Sequence, residues 1–473
     1  VSRLAVGGPL MTRPEWRRLC EEHHDLLVVG GGIHGAGVAR DAALRGLRVA
    51  LIERDDWGSG TSSRSSKLFH GGLRYLEQGA LGLVREALAE RERHLRLAPD
   101  RVRRLQFRIP PGPRGGRSRW KIRAGIALYG ALALRPAEAR FWGAEPGFED
   151  AIMDDARFCL DVAASARSHG ALLLHYAEWM EWVRRGDRVV GARVLDRFTG
   201  REGFISAGAF VNAAGPWAGL LLTSPRERES PLRLTRGTHI VLDRREDDDA
   251  RLFFAPQDGR VLFLLPFDEG TSLLSTTDLD EPAPVREPVP LEAEIRYLRD
   301  AFLAQFPGWT HWRPVGLQCG LRPLIAAGGA PSALSREERI LTDPGGTVHS
   351  ILGGKYTTFR AVAERVVDRV ERQLGRESGS HPTRTAPFAP ESHSGDAMAR
   401  IRRAFAEEDA VRLEDVFLRR TSLGHRGGVN PDLLRQAEQL WRLRWGKSDA
   451  ESQEEVKAYQ DLQRRRLGPL GAW

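Results

Sequence analysis

A chain of 473 residues with 41% hydrophobic and 28% charged residues is long enough for two or three lobes and too apolar to be disordered. Three cysteines (Cys20, Cys159, Cys319), odd in number and far apart, argue against a disulfide framework or a C-x-x-C metal knuckle and fit a reducing cytosol. The net charge of +8 suits an anionic ligand or surface, but the basic residues are dispersed, with no arginine tail and no interleaved aromatic ladder, which argues against nucleic acid.

Residues 1–23 read as a poorly ordered N-terminal extension. A β-α-β unit follows: Asp25–Val29 as a buried strand, "GGGIHG" as a turn, "AGVARDAALRG" as a helix closed by Gly46, and Arg48–Glu53 as a second strand. Gly30-x-Gly32-x-x-Gly35 thus sits between strand and helix. Gly30 permits the tight turn, Gly32 lets backbone approach a pyrophosphate, and Gly35 brings helix and strand together. Glu53 ends the second strand, where a carboxylate accepts hydrogen bonds from an adenosine ribose; this pattern alone does not distinguish one dinucleotide from another.

A charged helix is expected near 80–97, then a basic, Trp-bearing flank and an apolar run at 117–136. That run is too short to span a bilayer as a helix, and suits either an interfacial helix or a buried one with a solvated basic end. No apolar run elsewhere reaches spanning length, and no signal peptide precedes the first strand. Strands are expected at Arg188–Asp196, Ala209–Gly215, His239–Asp243, Val261–Phe267 and Ser272–Asp278. A Pro-rich acidic loop (278–290) leads into a helix from Leu291. A strand pair within 339–352 ends at Gly353-Gly354, and a helix runs from Thr357 to Leu374. A Gly/Ser/Pro linker precedes a charged, helical C-terminal part. Only five of the 71 basic residues are lysine, so Lys67 and Lys355, both in Gly-rich loops, point to places where a compact ammonium is needed.

The segment "TSSRSSKLFHGGLRYLEQG" (61–79) resembles the stretch after the second strand in FAD-dependent, quinone-linked glycerol-3-phosphate dehydrogenases. The resemblance continues in order through "DDAR" (154–157), "VNAAGPW" (211–217), "RGTHIVL" (236–242), "STTD" (275–278), "GLRPL" (320–324), "SREERI" (335–340), "GGKYTTFR" (353–360) and "LEDVFLRRTSLG" (413–424). It implies an α/β fold: a discontinuous Rossmann-like FAD-binding domain (24–105, 150–235 and 315–375) and an inserted sheet-rich α+β substrate domain facing the membrane (106–149 and 236–314). A linker (376–395) and a small helical C-terminal domain (396–473) complete it.

The same resemblance implies non-covalent FAD held by Thr61, Ser62, Ser66, Lys67, Leu68, His70 and Gly72, with Ala214, Gly215, Gly354 and Thr357. It implies a phosphate cup of Arg74, Tyr75, Arg336 and Lys355, and a catalytic pair, His239 and Arg322. Oxidising a secondary alcohol requires a hydride facing flavin N5, an acceptor for the hydroxyl proton, and positive charge for the developing alkoxide. His239 is the natural base by its ordinary pKa, unless it merely ends a strand with a structural hydrogen bond; Arg322 suits electrostatic stabilisation and proton relay.

The implied reaction is sn-glycerol 3-phosphate to dihydroxyacetone phosphate, with electrons passed to a membrane quinone. The implied location is cytoplasmic, peripheral on the inner membrane's cytoplasmic face, and a homodimer is compatible with it. Competing readings are an oxygen-using oxidase, an amino-acid or 2-hydroxy-acid dehydrogenase of the same broad fold, and a non-catalytic flavin-binding redox sensor. Departures from the resembled pattern are Ser275, where glycine is expected before "TTD", and divergent loops at 243–260 and 325–334.

Overall fold

The computed structural model describes residues 13–76, 79–112, 119–133, 145–223, 232–268, 270–326, 338–389 and 395–473. Two sheets organise them. The first contains β1 (His24–Val29), β2 (Val49–Glu53), β6 (Leu172–His175), β9 (Glu202–Asn212), β16 (Glu338–Thr342) and β17 (Val348–Gly353). Its order is β16-β17-β9-β1-β2-β6, and a hairpin of β7 (Ala177–Arg185) and β8 (Arg188–Asp196) branches from β9. β1 pairs in parallel with β2 and β9, so it must be apolar on both faces, and Leu26, Leu27 and Val28 are fully buried.

Helices cover one face of this sheet: α2 (Ile33–Leu44), α5 (Asp155–Ser168) and α7 (Phe359–Gln373), which follow α1 (Pro14–Glu21), α3 (Leu81–Leu97), α4 (Arg119–Leu132) and α6 (Glu292–Gln305) in the numbering used here. Their core joins Val38, Phe158 and Val366. α2 begins at Gly32 with no cap from its own chain neighbours; the Ile33 N–H instead donates to Ser62 Oγ at 2.9 Å. The serine-rich segment is thereby tied to the start of the helix that the glycine pattern opens.

The second sheet runs β14 (Leu279–Glu281), β10 (Leu232–Leu242), β13 (Ser272–Ser275), β12 (Val261–Pro266), β11 (Ala250–Phe254), β4 (Val102–Arg108), β5 (Gly147–Met153) and β3 (Leu68–Phe69). β15 (Pro314–Ile325) also pairs with β10, placing Thr235 opposite Arg322, Gly237 opposite Gly320 and His239 opposite Gln318. Because β3 belongs to this sheet, the 61–76 segment passes from the end of one sheet to the edge of the other. The expected boundaries at 105/106, 149/150, 235/236 and 314/315 each cut a strand of this second sheet. The apolar alternation that builds such strands does not reveal which sheet they join.

Three further expectations change. Within the extension, 13–23 is not loose: α1 buries Leu19 and packs on β9, and Arg13 Nη1 pairs with Asp196 Oδ1 at 2.8 Å. The described part of the linker is pinned to α2, since Thr383 Oγ1 donates to Asp41 Oδ1 (2.6 Å) and the Arg40 guanidinium lies 4.2 Å from the Phe388 ring centre. In the 117–136 run, α4 buries Ile126 and Tyr129 against the second sheet's core while Trp120 (70%) and Leu128 (45%) stay exposed. The buried reading thus holds for the face that carries Ile126 and Tyr129. Among the described residues no helix is long and apolar enough to cross a membrane.

The C-terminal part is helical as expected: α8 (Ala397–Ala406), a bent turn over 413–420, α9 (Pro431–Trp445) and α10 (Asp449–Leu467) share a core of Ile401, Phe417, Trp441 and Tyr459.

Candidate active site

The strand–turn–helix at Gly30 opens into a cavity of about 430 Å³, within the usual range of ligand clefts. Gly30 has φ +109°, and a Cβ there would stand 2.6 Å from the Ala213 carbonyl oxygen. A Cβ at Gly35 would stand 1.8 Å from the Gly30 carbonyl oxygen, so helix and turn meet only because both are glycine. Gly30, Gly32 and Glu53 line this cavity, together with Thr61, Ser62, Ser66, Leu68, His70, Ala214, Gly215, Gly354, Lys355, Thr357 and Arg322. The fit to a dinucleotide is direct: a Gly turn at a helix N-terminus, a serine-rich wall, and a carboxylate at the end of the second strand.

Glu53 accepts from Gly31 N–H at 2.6 Å and from Asp55 N–H at 2.8 Å. Burial, then the neighbouring Asp55 carboxylate, push it up to about 7. A ribose that donated its hydroxyls here would favour the ionised form, so its binding would release the Glu53 proton. FAD affinity is therefore expected to rise about tenfold from pH 6 to pH 8. Flavin-fluorescence titrations of FAD-stripped protein across that range check this, and Glu53→Gln should flatten the profile.

A second cavity, of about 450 Å³, shares Ser66, Leu68, His70 and Arg322 with the first. Its far wall is apolar, formed by residues such as Phe107, Phe148, Leu252 and Phe263, and it reaches Lys121, Ile122 and Gly125 of α4. At the shared end, Arg322 Nη2 donates to Thr276 Oγ1 (2.7 Å), while Nη1 donates to the Thr277 carbonyl (2.9 Å) and pairs with Asp278 Oδ1 (3.3 Å). Gly237 permits this: a Cβ there would lie 2.0 Å from Arg322 Nη2. Arg260 adds a second cation, 3.9 Å from Asp278 Oδ2.

Not every expected residue faces these cavities. His239 is fully buried and lines neither; its Nε2 lies 3.3 Å from Ser66 Oγ, so it reaches the shared wall only through that hydroxyl. Burial, with the nearby Arg322 and Lys67 charges, holds it well below the ordinary histidine range and therefore neutral. The register puts His239 and Arg322 on the same face of the sheet, since Thr235, four residues before His239, stands opposite Arg322; Ser66 lies against the histidine there. Lys67 also lines neither cavity: its φ of +57° turns the ammonium onto Asp155 Oδ1 at 2.5 Å. Burial disfavours its charge, but the Asp155 carboxylate more than offsets this and raises its pKa. Asp155 Oδ2 also accepts from Ser65 N–H (2.8 Å) and Oγ (2.7 Å), so Lys67 and Asp155 shape the loop from beneath.

Gly72 lines the second cavity, whereas Lys355 lines the first. Arg74 and Tyr75 lie in the 3-10 turn Leu73–Leu76, but their side chains fall outside the described residues, as does Arg336 altogether. Sequence reasoning missed Arg260, Lys121, Thr276 and Asp278 in the second cavity, although "STTD" had marked the last two. It also missed Arg286 and Glu287 of the Pro-rich loop, and Arg419 of the C-terminal part, in the first.

Residues 25–369 match the family model described as FAD dependent oxidoreductase. The chain is 37% identical over 414 residues to glycerol-3-phosphate dehydrogenase 2 of Mycobacterium tuberculosis, covering 82% of this chain and 69% of that protein. It is 37% identical over 379 residues to a glycerol-3-phosphate dehydrogenase of Pseudomonas aeruginosa, covering 74% and 72%. Among solved structures, the glycerol-3-phosphate dehydrogenase of Bacillus halodurans, crystallised with FAD, superposes with a TM-score of 0.75 at 24% identity over 97% of this chain and 98% of that one. A glycine oxidase of Bacillus cereus shares the fold at a TM-score of 0.54 and 15% identity, over 75% of this chain and 98% of that one.

Proposed function

Because this chain belongs to the FAD-dependent glycerol-3-phosphate dehydrogenase family, we propose that it oxidises sn-glycerol 3-phosphate to dihydroxyacetone phosphate and passes the electrons to a quinone. The observation that carries the reading is Arg322, fixed by three partners where the dinucleotide cavity meets a second cavity with a further cation, Arg260. FAD held along the first cavity would supply the two-electron acceptor for the hydride of the carbinol carbon.

The chain's own residues do the rest. Arg322 stabilises the developing alkoxide with a charge that needs no reorganisation, because its guanidinium is already held. Ser66 relays the hydroxyl proton toward His239, 3.3 Å away, which is unprotonated and can take it, although burial and the Arg322 and Lys67 charges lower its proton affinity. Arg260 and Lys121 of the second cavity supply cations for the phosphate, together with the cup that the resemblance implies from Arg74, Tyr75, Arg336 and Lys355.

Quinone as acceptor is supported by the apolar wall of the second cavity and by its continuation to α4, whose Trp120 and Leu128 are exposed. This arrangement suits a protein resting on the cytoplasmic membrane surface, with an apolar oxidant entering past that helix. The test is reoxidation of the substrate-reduced protein. A short-chain quinone should outpace air-saturated buffer at least tenfold; faster reoxidation by oxygen would favour the oxidase reading.

A further inference from the structure

The family match ends at residue 369, yet the wall of the dinucleotide cavity does not: Glu414, Leu418, Arg419 and Leu462 of the C-terminal part also line it. Arg419 sits in a π-helical turn, Val416–Arg420, a distortion that is often found at functional positions. That turn places two successive arginines on one carboxylate of the FAD-binding part. Asp56, fully buried in the loop after β2, accepts from Arg419 Nε at 2.5 Å and from Arg420 Nη2 at 2.9 Å.

Asp415 takes the other edge of Arg419 at Nη2, and is itself fixed by Tyr176 Oη, which donates to both its oxygens at 3.0 Å. Arg419 is thus held on two of its three nitrogens by fully buried carboxylates. Its Nη1 makes no hydrogen bond among the described residues, while the side chain lines the cavity. A guanidinium fixed in this way, with one donor edge left over, is built to meet an acceptor. The Pro-rich loop closes the same side: Arg286 Nη2 pairs with Asp55 Oδ1 at 2.6 Å, and Arg64 Nη2 pairs with Glu287 Oε2 at 2.6 Å. Glu287 Oε1 lies 3.9 Å from Arg466 of α10.

We propose that the C-terminal helical part belongs to the cofactor site: Arg419, oriented by Asp56 and Asp415, donates from Nη1 to an acceptor oxygen or nitrogen of FAD, and docking of this part and cofactor binding are coupled. The inference rests on the FAD assignment and extends the site beyond residues 25–369, the part that the family model matches. Anything that binds only the docked arrangement stabilises that arrangement by mass action. FAD therefore tightens the C-terminal contact, and loosening that contact weakens FAD.

The test is hydrogen exchange of the full chain, stripped of FAD and then titrated with it, alongside flavin fluorescence. Amides of 411–421 should exchange at least tenfold more slowly once FAD is bound, while α9, away from the cavity, changes little. Arg419→Met should weaken FAD at least tenfold while keeping the exchange protection of α9. Unchanged exchange at 411–421 in protein that has bound FAD would overturn the proposal, and so would equal slowing across 411–421 and α9. Should Arg419→Met fail to fold, the unsubstituted chain still decides. A chain that binds no FAD at all would instead refute the assignment on which the inference rests.

Discussion

Replacing Arg322 with methionine is expected to lower kcat/KM for sn-glycerol 3-phosphate by about 10²–10³, or ~3–4 kcal/mol of transition-state stabilisation, while FAD remains bound. Methionine keeps much of the side chain's length and removes its charge and every donor. The size of the effect follows from preorganisation: Thr276, the Thr277 carbonyl and Asp278 already fix the guanidinium at the shared wall, so its charge acts without rearrangement. Arg322→Lys should recover only part of the loss, since an ammonium cannot reproduce the planar donor set that these partners hold. Steady-state kinetics with the flavin content of each preparation measure both terms. A methionine variant within fivefold of the parent would remove Arg322 from the chemistry.

Gly35→Ala is expected to abolish cofactor retention. The added methyl group would sit 1.8 Å from the Gly30 carbonyl oxygen and 3.3 Å from Ala213 Cβ, and the nearer contact is backbone, which no rotamer change relieves. Either α2 moves off the turn or the turn opens; both separate Gly32 from the position where it approaches a pyrophosphate. A stability loss of about 3 kcal/mol, at the upper end of ordinary overpacking, accompanies the loss of flavin. Gly82→Ala is the control, because a Cβ there meets nothing within 4 Å. Thermal melts with and without FAD distinguish the two: Gly82→Ala should keep the cofactor-induced shift in Tm and Gly35→Ala should lose it.

Much of this was legible in the sequence because it depended on local order. The glycine turn, the flanking apolar strands and the place of Glu53 at the end of the second strand read correctly, since a β-α-β turn is built from neighbours in the chain. The serine-rich segment announced itself by composition, and Arg322 by the motif around it. What stayed hidden depended on pairing between distant segments. His239 and Arg322 share one face of paired strands, and neither strand's sequence says that Ser66, from a distant segment, comes to lie against the histidine. Lys67 looked like a ligand because its carboxylate partner lies 88 residues further on. Arg419 lies 363 residues from Asp56, and local spacing cannot bring two such residues together. The sheet to which β4, β5 and β15 belong was concealed for the same reason.

The most direct test of this reaction is an anaerobic titration of the holoprotein with sn-glycerol 3-phosphate, following the oxidised-flavin absorption. Stoichiometric bleaching, one substrate per flavin, is expected, with return of the colour when a quinone analogue is added. A yellow protein that keeps its full absorption through excess substrate would contradict it, leaving the fold and the cofactor cavity but not this reaction.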